Sequence, residues 1–235
     1  MLRLARVNVS IQSSHILRDV SLEVGERELV CLVGRNGAGK TTTLRTVMGY
    51  LPPASGAITF KGRPLTGLAT HAIAARGLGF APEDAGIFGD LTVAENIEIA
   101  TWTRRTARAE ADRIEQAYAV FPTLRRYAAR GGTQLSGGER KMLSIARALA
   151  LDPELLLLDE PFEGLSPAII PTITDGIAAI TGLGRSILLA ESNIHHIPDF
   201  ADRLYVIERG EIIFGGKPQD IAHEPEVLRV IGGTV

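Results

Sequence analysis

The chain opens with Met1-Leu2-Arg3-Leu4-Ala5-Arg6-Val7-Asn8-Val9, in which apolar and polar side chains alternate. A period of two sends one side of an extended segment into a core and the other into water, so the first 25 residues predict strands joined by short turns. A third strand is predicted over Glu28 to Val33, leading into a glycine-rich stretch. A helix from Lys40 to Gly49 follows, stopped by Pro52-Pro53. Ala57 to Phe60 predicts another strand. From Thr92 to Arg130 the spacing changes: Val93, Ile97 and Ala100, then Ile114, Ala117 and Tyr118, recur at helical intervals without a strand pattern. A helix is next expected from Gly137 to Leu149. Leu155 to Leu158 is an unbroken apolar run between Pro153 and Asp159, the pattern of a strand buried on both faces of a parallel sheet. Ser186 to Ala190 repeats it. Leu204 to Ile207 and Ile212 to Phe214 predict a hairpin across Glu208 to Glu211.

These elements predict a single α/β domain over residues 1–235. Residues 1–91 and 131–235 form its core, with an N-terminal antiparallel β subdomain, and residues 92–130 form an inserted helical lobe closed by Gly131-Gly132. No internal repeat or low-complexity tract interrupts the chain. No run of about 18 apolar residues is present, and the N-terminus lacks the apolar stretch of a signal peptide. A place at the cytoplasmic face of a membrane, through partners, is therefore the expected one.

Composition narrows the function classes. With 25 Lys and Arg against 27 Asp and Glu, the net charge is -2, which argues against a nucleic-acid partner. The basic stretch Arg104 to Arg108 reads as a solvated helix face. The lone cysteine, Cys31, sits in an apolar run and reads as a small core residue in a reducing compartment.

Gly34-Arg35-Asn36-Gly37-Ala38-Gly39-Lys40-Thr41 matches G-x-x-x-x-G-K-[ST] and stands where that pattern has mechanical meaning, between a buried strand and a helix. Glycines let the backbone wrap a phosphate with its N–H groups inward, and the helix start adds positive potential. Lys40 reaches the β- and γ-phosphates, the Thr41 hydroxyl suits Mg²⁺, and Thr42 continues the cradle. The ligand expected is ATP with Mg²⁺. Asp159 and Glu160 end the Leu155 to Leu158 strand, at the sheet edge where ligands of open α/β folds collect. Asp159 is the expected Mg²⁺ partner and Glu160 the base for the attacking water.

Leu135-Ser136-Gly137-Gly138-Glu139 precedes a predicted helix. Ser136 and Glu139 satisfy a capping box, which explains the serine and the acid. It leaves unexplained two glycines in a first turn, where they weaken the helix yet expose N–H groups to an anion.

The cradle, the Leu-Ser-Gly-Gly-Glu signature and the Asp159-Glu160 pair, in this order, resemble the nucleotide-binding subunits of ABC transporters. The resemblance covers essentially the whole chain. It implies the P-loop ATPase fold of that family and ATP hydrolysis coupled to transport. It also implies a head-to-tail pair in which Ser136, Gly137 and Gly138 contact the γ-phosphate on the partner's cradle. Other implied partners are transmembrane permease subunits and, indirectly, a solute-binding protein. Phe80-Ala81-Pro82-Glu83 resembles the family's glutamine loop with Glu83 in the glutamine's place. Gly164-Leu165-Ser166-Pro167, Ala190-Glu191-Ser192-Asn193 and Val230-Ile231-Gly232-Gly233 resemble segments of the ATPase type often called LivF, from branched-chain amino acid importers and their urea- or amide-moving relatives.

By the same resemblance, Ile11 stands where an aromatic ring usually meets adenine, Glu83 adds charge near the phosphates and Mg²⁺, and Ser192 replaces the switch histidine. The residues so placed at the chemistry are Glu160, Lys40, Glu83 and Ser192. These departures imply a slower site on this chain's cradle and favour a heterodimer, with a homodimer as the alternative. His195 and His196 are expected on a helix start from Asn193 to Pro198 that points them elsewhere. The Glu83 to Phe88 loop and the helical lobe, with Trp102 and Phe121, imply a groove for a membrane subunit, although Trp102 and Phe121 read equally well as packing residues. Competing readings are an exporter such as a lipopolysaccharide-extraction ATPase, and a non-transport clamp. The Thr92 to Arg130 interval is too short for a repair clamp's coiled coil, and the chain has no lid or second lobe of a kinase.

Overall fold

The structure, a computed structural model, describes residues 1–232. Of the Val230 to Gly233 ending, Gly233 lies outside the described residues. In chain order the elements are β1 (Leu2–Ile11), β2 (Ser14–Val24), β3 (Leu29–Val33), α1 (Lys40–Val47), β4 (Ser55–Phe60), β5 (Arg63–Pro64), α2 (Thr70–Ala75) and β6 (Leu78–Ala81). There follow α3 (Val93–Thr101), α4 (Glu110–Val120), α5 (Pro122–Arg126), α6 (Gly137–Ala150), β7 (Leu155–Asp159) and α7 (Ile170–Gly182). Then come β8 (Ser186–Glu191), β9 (Arg203–Glu208), β10 (Glu211–Gly216) and α8 (Pro225–Gly232). The chain divides into two compact units: Met1–Ile73 with Ser186 onward, and Ala74–Arg185.

In the first unit, β2, β1, β4 and β5 form an antiparallel sheet in that order. Leu2 and Leu4 pair with Val24 and Leu22 on one side and with Phe60 and Ile58 on the other. All six are buried, so the alternation at the N-terminus is the inward face of this sheet. A second set of strands runs β10-β9-β3-β8. There β3 lies between β8 and β9, parallel to both, and all five of its residues are buried. That double coverage accounts for its unbroken apolar run. Cys31 is part of it; burial, with Glu191 and Asp202 nearby, pushes its thiol far above the ordinary range, consistent with a packing role.

In the second unit β6 and β7 pair in parallel, Leu78 opposite Leu155 and Ala81 opposite Leu158. The Thr92 to Arg130 interval contains α3, α4 and α5 and no strand, and a bridge between Thr92 and Gly131 joins its ends. Phe121 is fully buried, and a Cβ on Gly176 of α7 would come within 2.4 Å of its ring, so the glycine makes room for the aromatic. Phe121 is therefore a packing residue. Arg113 is buried as well, donating from its guanidinium to the carbonyls of Thr101 at 2.8 Å and Ala150 at 3.4 Å, which closes the ends of α3 and α6.

One sequence expectation is overturned here. Arg104 to Arg108 is not a helix face but part of the connection between α3 and α4. Arg104 reaches the carbonyls of Ala75 and Asp152 and pairs with Glu154 at 3.5 Å. Arg108 and Arg185 converge on the Asp152 carboxylate. The basic stretch is held by carbonyls and carboxylates that the sequence pattern alone could not place beside it.

Candidate functional site

The cradle is made where β3 runs out. The Gly34 N–H donates to the Glu191 carbonyl at 3.2 Å, which ties the loop start to the end of β8. A Cβ on Gly34 would sit 2.2 Å from the Ile207 carbonyl oxygen, so only glycine passes there. Gly37 and Gly39 have φ of 82° and 115°, values that residues with a Cβ rarely adopt. The loop is propped from outside by the β9–β10 turn, whose Gly210 N–H donates to the Ala38 carbonyl at 2.9 Å. After Gly39 the chain enters α1 with no side-chain cap and no acid in the first turn. The start of α1 is thus electropositive, built of backbone N–H groups.

Lys40 is buried, and its Nζ donates to the carbonyls of Gly34 at 2.7 Å and Arg35 at 3.2 Å and to Ser192 Oγ at 2.9 Å. Ser192 in turn donates to Asn36 Oδ1 at 2.5 Å. The structure therefore brings together Gly34, Arg35, Asn36, Lys40 and Ser192, while Thr41 and Thr42 occupy the first turn of α1. Ile11 ends β1 with 42% of its surface exposed, unlike the buried apolar residues before it. The helix expected from Asn193 is only a short 3₁₀ turn over Ile194–His196, begun by the Asn193 side chain accepting from the His195 N–H at 2.9 Å. That turn sets His196 against the end of β8, its Nδ1 lying 3.5 Å from Glu191 Oε2. His195 stays exposed.

In the second unit, β7 delivers Asp159 and Glu160 as buried acids at its C-terminal end. Glu160 has φ 46°, a left-handed conformation that a non-glycine residue adopts only under constraint. Lys141 of α6 donates to the carbonyls of Glu160 at 2.6 Å and Glu83 at 2.7 Å. Glu83 and Glu163 share a hydrogen bond. Partial burial first, then that bond and the charges of Glu83 and Glu160, push the Glu163 carboxyl above its ordinary range, with Lys141 acting the other way.

The Leu135 to Glu139 segment has the capping box its sequence suggested. The Glu139 N–H donates to Ser136 Oγ at 3.3 Å, and the Ser136 N–H donates to Glu139 Oε2 at 2.7 Å. The two glycines then separate. Gly138 is buried, and a Cβ there would lie 2.9 Å from Ile169 Cγ2. Gly137 is exposed, and a Cβ there would meet nothing within 4 Å. Packing within the unit explains Gly138 but not Gly137.

A cleft of about 490 Å³ opens beside this segment, lined by the Glu83 to Gly89 loop, Gly137, Arg140 and Lys141 of α6, and Glu163 to Leu165. Asn96, fully buried on α3, shapes its rim: it accepts from the Phe88 N–H at 2.9 Å and donates to the carbonyls of Phe88, Leu91 and Thr92. Phe88 is left half exposed, with the Arg147 guanidinium 5.1 Å above its ring. Trp102 is 66% exposed and donates to Glu110 at 3.3 Å, so it is not a core residue.

The sequence reading missed Lys141, Glu163 and Asn96. A signal existed for the first: Lys141 is a cation among the mainly apolar and small residues that α6 buries.

Residues 17–163 match the family model described as ABC transporter. The chain belongs to the ABC transporter family. It is 38% identical over 97% of both chains to the high-affinity branched-chain amino acid transport ATP-binding protein BraG of Pseudomonas aeruginosa. It is 36% identical, over 95% of this chain and 93% of the relative, to the lipopolysaccharide export system ATP-binding protein LptB of Haemophilus influenzae. A solved ATP-binding subunit of an ABC transporter superposes with a TM-score of 0.84 at 26% identity, over 97% of this chain and 94% of that one. The chain is thus an α/β ABC ATPase, the ATP-hydrolysing subunit of a transporter of this family. Among the described residues, no helix is long and apolar enough to cross a membrane.

Proposed function

We propose that this ABC ATPase energises import of branched-chain amino acids or related small polar solutes such as amides and urea. The observation that carries the reading is end-to-end similarity to BraG in a chain that has Glu83 in the glutamine loop and Glu191 beside the switch position. The similar identity to LptB supports a second reading, extraction of lipopolysaccharide.

Phosphoryl transfer leaves a protein mainly positioning and charge stabilisation to supply. Backbone N–H groups of Gly34 to Thr42, with Lys40, hold the phosphates, and Ile11 packs against the base. Glu160 orients the attacking water and takes its proton at the carboxylate, assisted by Glu83. Thr41, Asp159 and Glu83 offer hydroxyl and carboxylate oxygens, hard donors that suit Mg²⁺. Bound there, Mg²⁺ supplies neutralising charge for the phosphate oxygens.

The chain works at the cytoplasmic face of the cell membrane as half of a head-to-tail pair with transmembrane permease subunits, and indirectly with a solute-binding protein. Ser136, Gly137 and Gly138, with Leu135 and Glu139 supporting them, meet the γ-phosphate on the partner's cradle. Residues 92–130 act as a helical subdomain on a core of 1–91 and 131–235. Ile11, Glu83 and Ser192 make this chain's cradle the slower of two in a heterodimer. Capture of the tagged chain from its native membranes, followed by ATPase assays of the complex with leucine, urea or lipopolysaccharide, tests the reading. Stimulation by leucine or a small amide is expected. Stimulation by lipopolysaccharide alone would replace import with the second reading.

A further inference from the structure

Lys141 lies on α6 four residues after Gly137 and three after Gly138, so helical geometry puts it on their face, one turn behind. Its side chain runs inward and is buried. Both carbonyls that its ammonium grips belong to acids at the chemistry, Glu160 at 2.6 Å and Glu83 at 2.7 Å. Burying a charge is costly unless it is well hydrogen-bonded, and here two of its bonds go to main-chain carbonyls. One of them holds a strained residue: Glu160 sits at φ 46°. A charge-assisted bond to its own carbonyl fixes the peptide plane leaving Glu160, and with it the direction in which the carboxylate is presented.

We propose that Lys141 is a positioning residue for ATP hydrolysis, gripping the main chain at Glu160 and Glu83 from the helix that begins with Gly137, so that the aim of the Glu160 carboxylate depends on where that helix start lies. The proposal rests on Glu160 acting as the base. It also gives the signature segment a route to the chemistry of its own chain: a rotation of α6 carries Nζ with it and displaces both carbonyls together.

The test is ATP turnover by the full-length chain carrying Lys141→Met, Lys141→Arg or Lys141→Gln, each also combined with Glu160→Gln. Loss of aim by about 1 Å lowers kcat for Lys141→Met by about 10- to 100-fold. KM for ATP stays within about twofold, since transition-state positioning is lost and ground-state binding is not. Lys141→Arg, which keeps a charged donor, recovers much of kcat. In the Glu160→Gln background, Lys141→Met brings no further loss of single-turnover rate. Wild-type kcat in Lys141→Met, a rise in KM alone, or the same fold-loss with and without Glu160 would overturn the proposal. Should Lys141→Met fail to fold, Lys141→Gln carries the same comparison. Wild-type turnover by Glu160→Gln alone would instead remove the premise about the base.

Discussion

Two helices here begin at glycines, and they use their first turns in opposite ways. The α1 helix follows Gly39 in a left-handed conformation, uncapped by any side chain and with no acid in its first turn. Its positive end is left for an anion, and the buried Lys40 adds charge at the same place. The α6 helix follows Ser136, whose hydroxyl caps Glu139 while the Glu139 carboxylate returns to the Ser136 N–H. The chain supplies that helix with its own acceptor and its own negative charge. A glycine-rich helix start is therefore not one kind of object. The first is a bare, electropositive helix start whose loop is held by β8 and by the β9–β10 turn. The second is a stable helix start with one exposed glycine, and a binding role for it needs another polypeptide.

The sharpest way to break this comparison is to substitute the two glycines of α6 separately. Valine at Gly138 runs into Ile169, and overpacking of that kind costs about 1–3 kcal/mol. Gly138→Val should therefore lower the denaturation midpoint of the isolated chain. Gly137→Val enters open space and replaces a poor helix former, so stability holds or rises slightly. Its turnover should nevertheless fall by at least about tenfold, the scale on which misplaced reacting groups slow catalysis. A Gly137→Val chain that hydrolyses ATP like the wild type would reduce the second helix start to a cap.

On the cradle side the corresponding test is gentler. Ser192 accepts a hydrogen bond from the Lys40 ammonium at 2.9 Å, beside those to the carbonyls of Gly34 and Arg35. Ser192→Ala removes it, and an intramolecular hydrogen bond contributes about 0.5–1.5 kcal/mol. Urea denaturation should register a loss of that size. Lys40 then gives up less on meeting phosphate, so the Kd for ATP, read by calorimetry, should tighten by about 2- to 10-fold. A weakened Kd would mean that Ser192 prepares Lys40 for the phosphate rather than competing for it.

The difference between the two helix starts was only half legible in the sequence. Glycine spacing between an apolar run and a helix pattern made the loop from β3 into α1 legible, because those parts are neighbours in sequence, whereas its ties to Glu191, Ser192 and Gly210 were not. The capping box was legible for the same reason. That Gly138 faces Ile169, and Gly137 nothing, depends on a contact across 31 residues of sequence, and no periodicity carries it. Elements were missed where composition spoke against them. The β6 strand is four residues long and includes Gly79, needed because a Cβ there would sit 2.9 Å from the Ala148 carbonyl oxygen. The α7 helix is rich in Ile and Thr and interrupted by Gly176, though Ile173, Ile177 and Ile180 are buried at helical spacing. Arg104 to Arg108 looked solvated because their carboxylates, Asp152 and Glu154, lie more than 40 residues on.

The smallest effect lies beside α6, at Glu163. Its carboxyl is pushed upward, so the folded chain holds that proton more tightly than the unfolded chain does. The stability this contributes is present below the ordinary glutamate range and lost as pH rises through the raised folded value. Because Glu163 is largely exposed, solvent screens most of it. Glu163→Gln removes the titration. Relative to wild type, the variant should gain slightly in melting temperature above that window and gain nothing below it. The Lys141 charge is the influence that holds Glu163 down, so in a Lys141→Met chain the wild-type-minus-Gln difference should widen and extend to higher pH. Melting curves at matched ionic strength across the acidic range read both effects. A difference of the opposite sign would mean that Glu163 is stabilised as an anion.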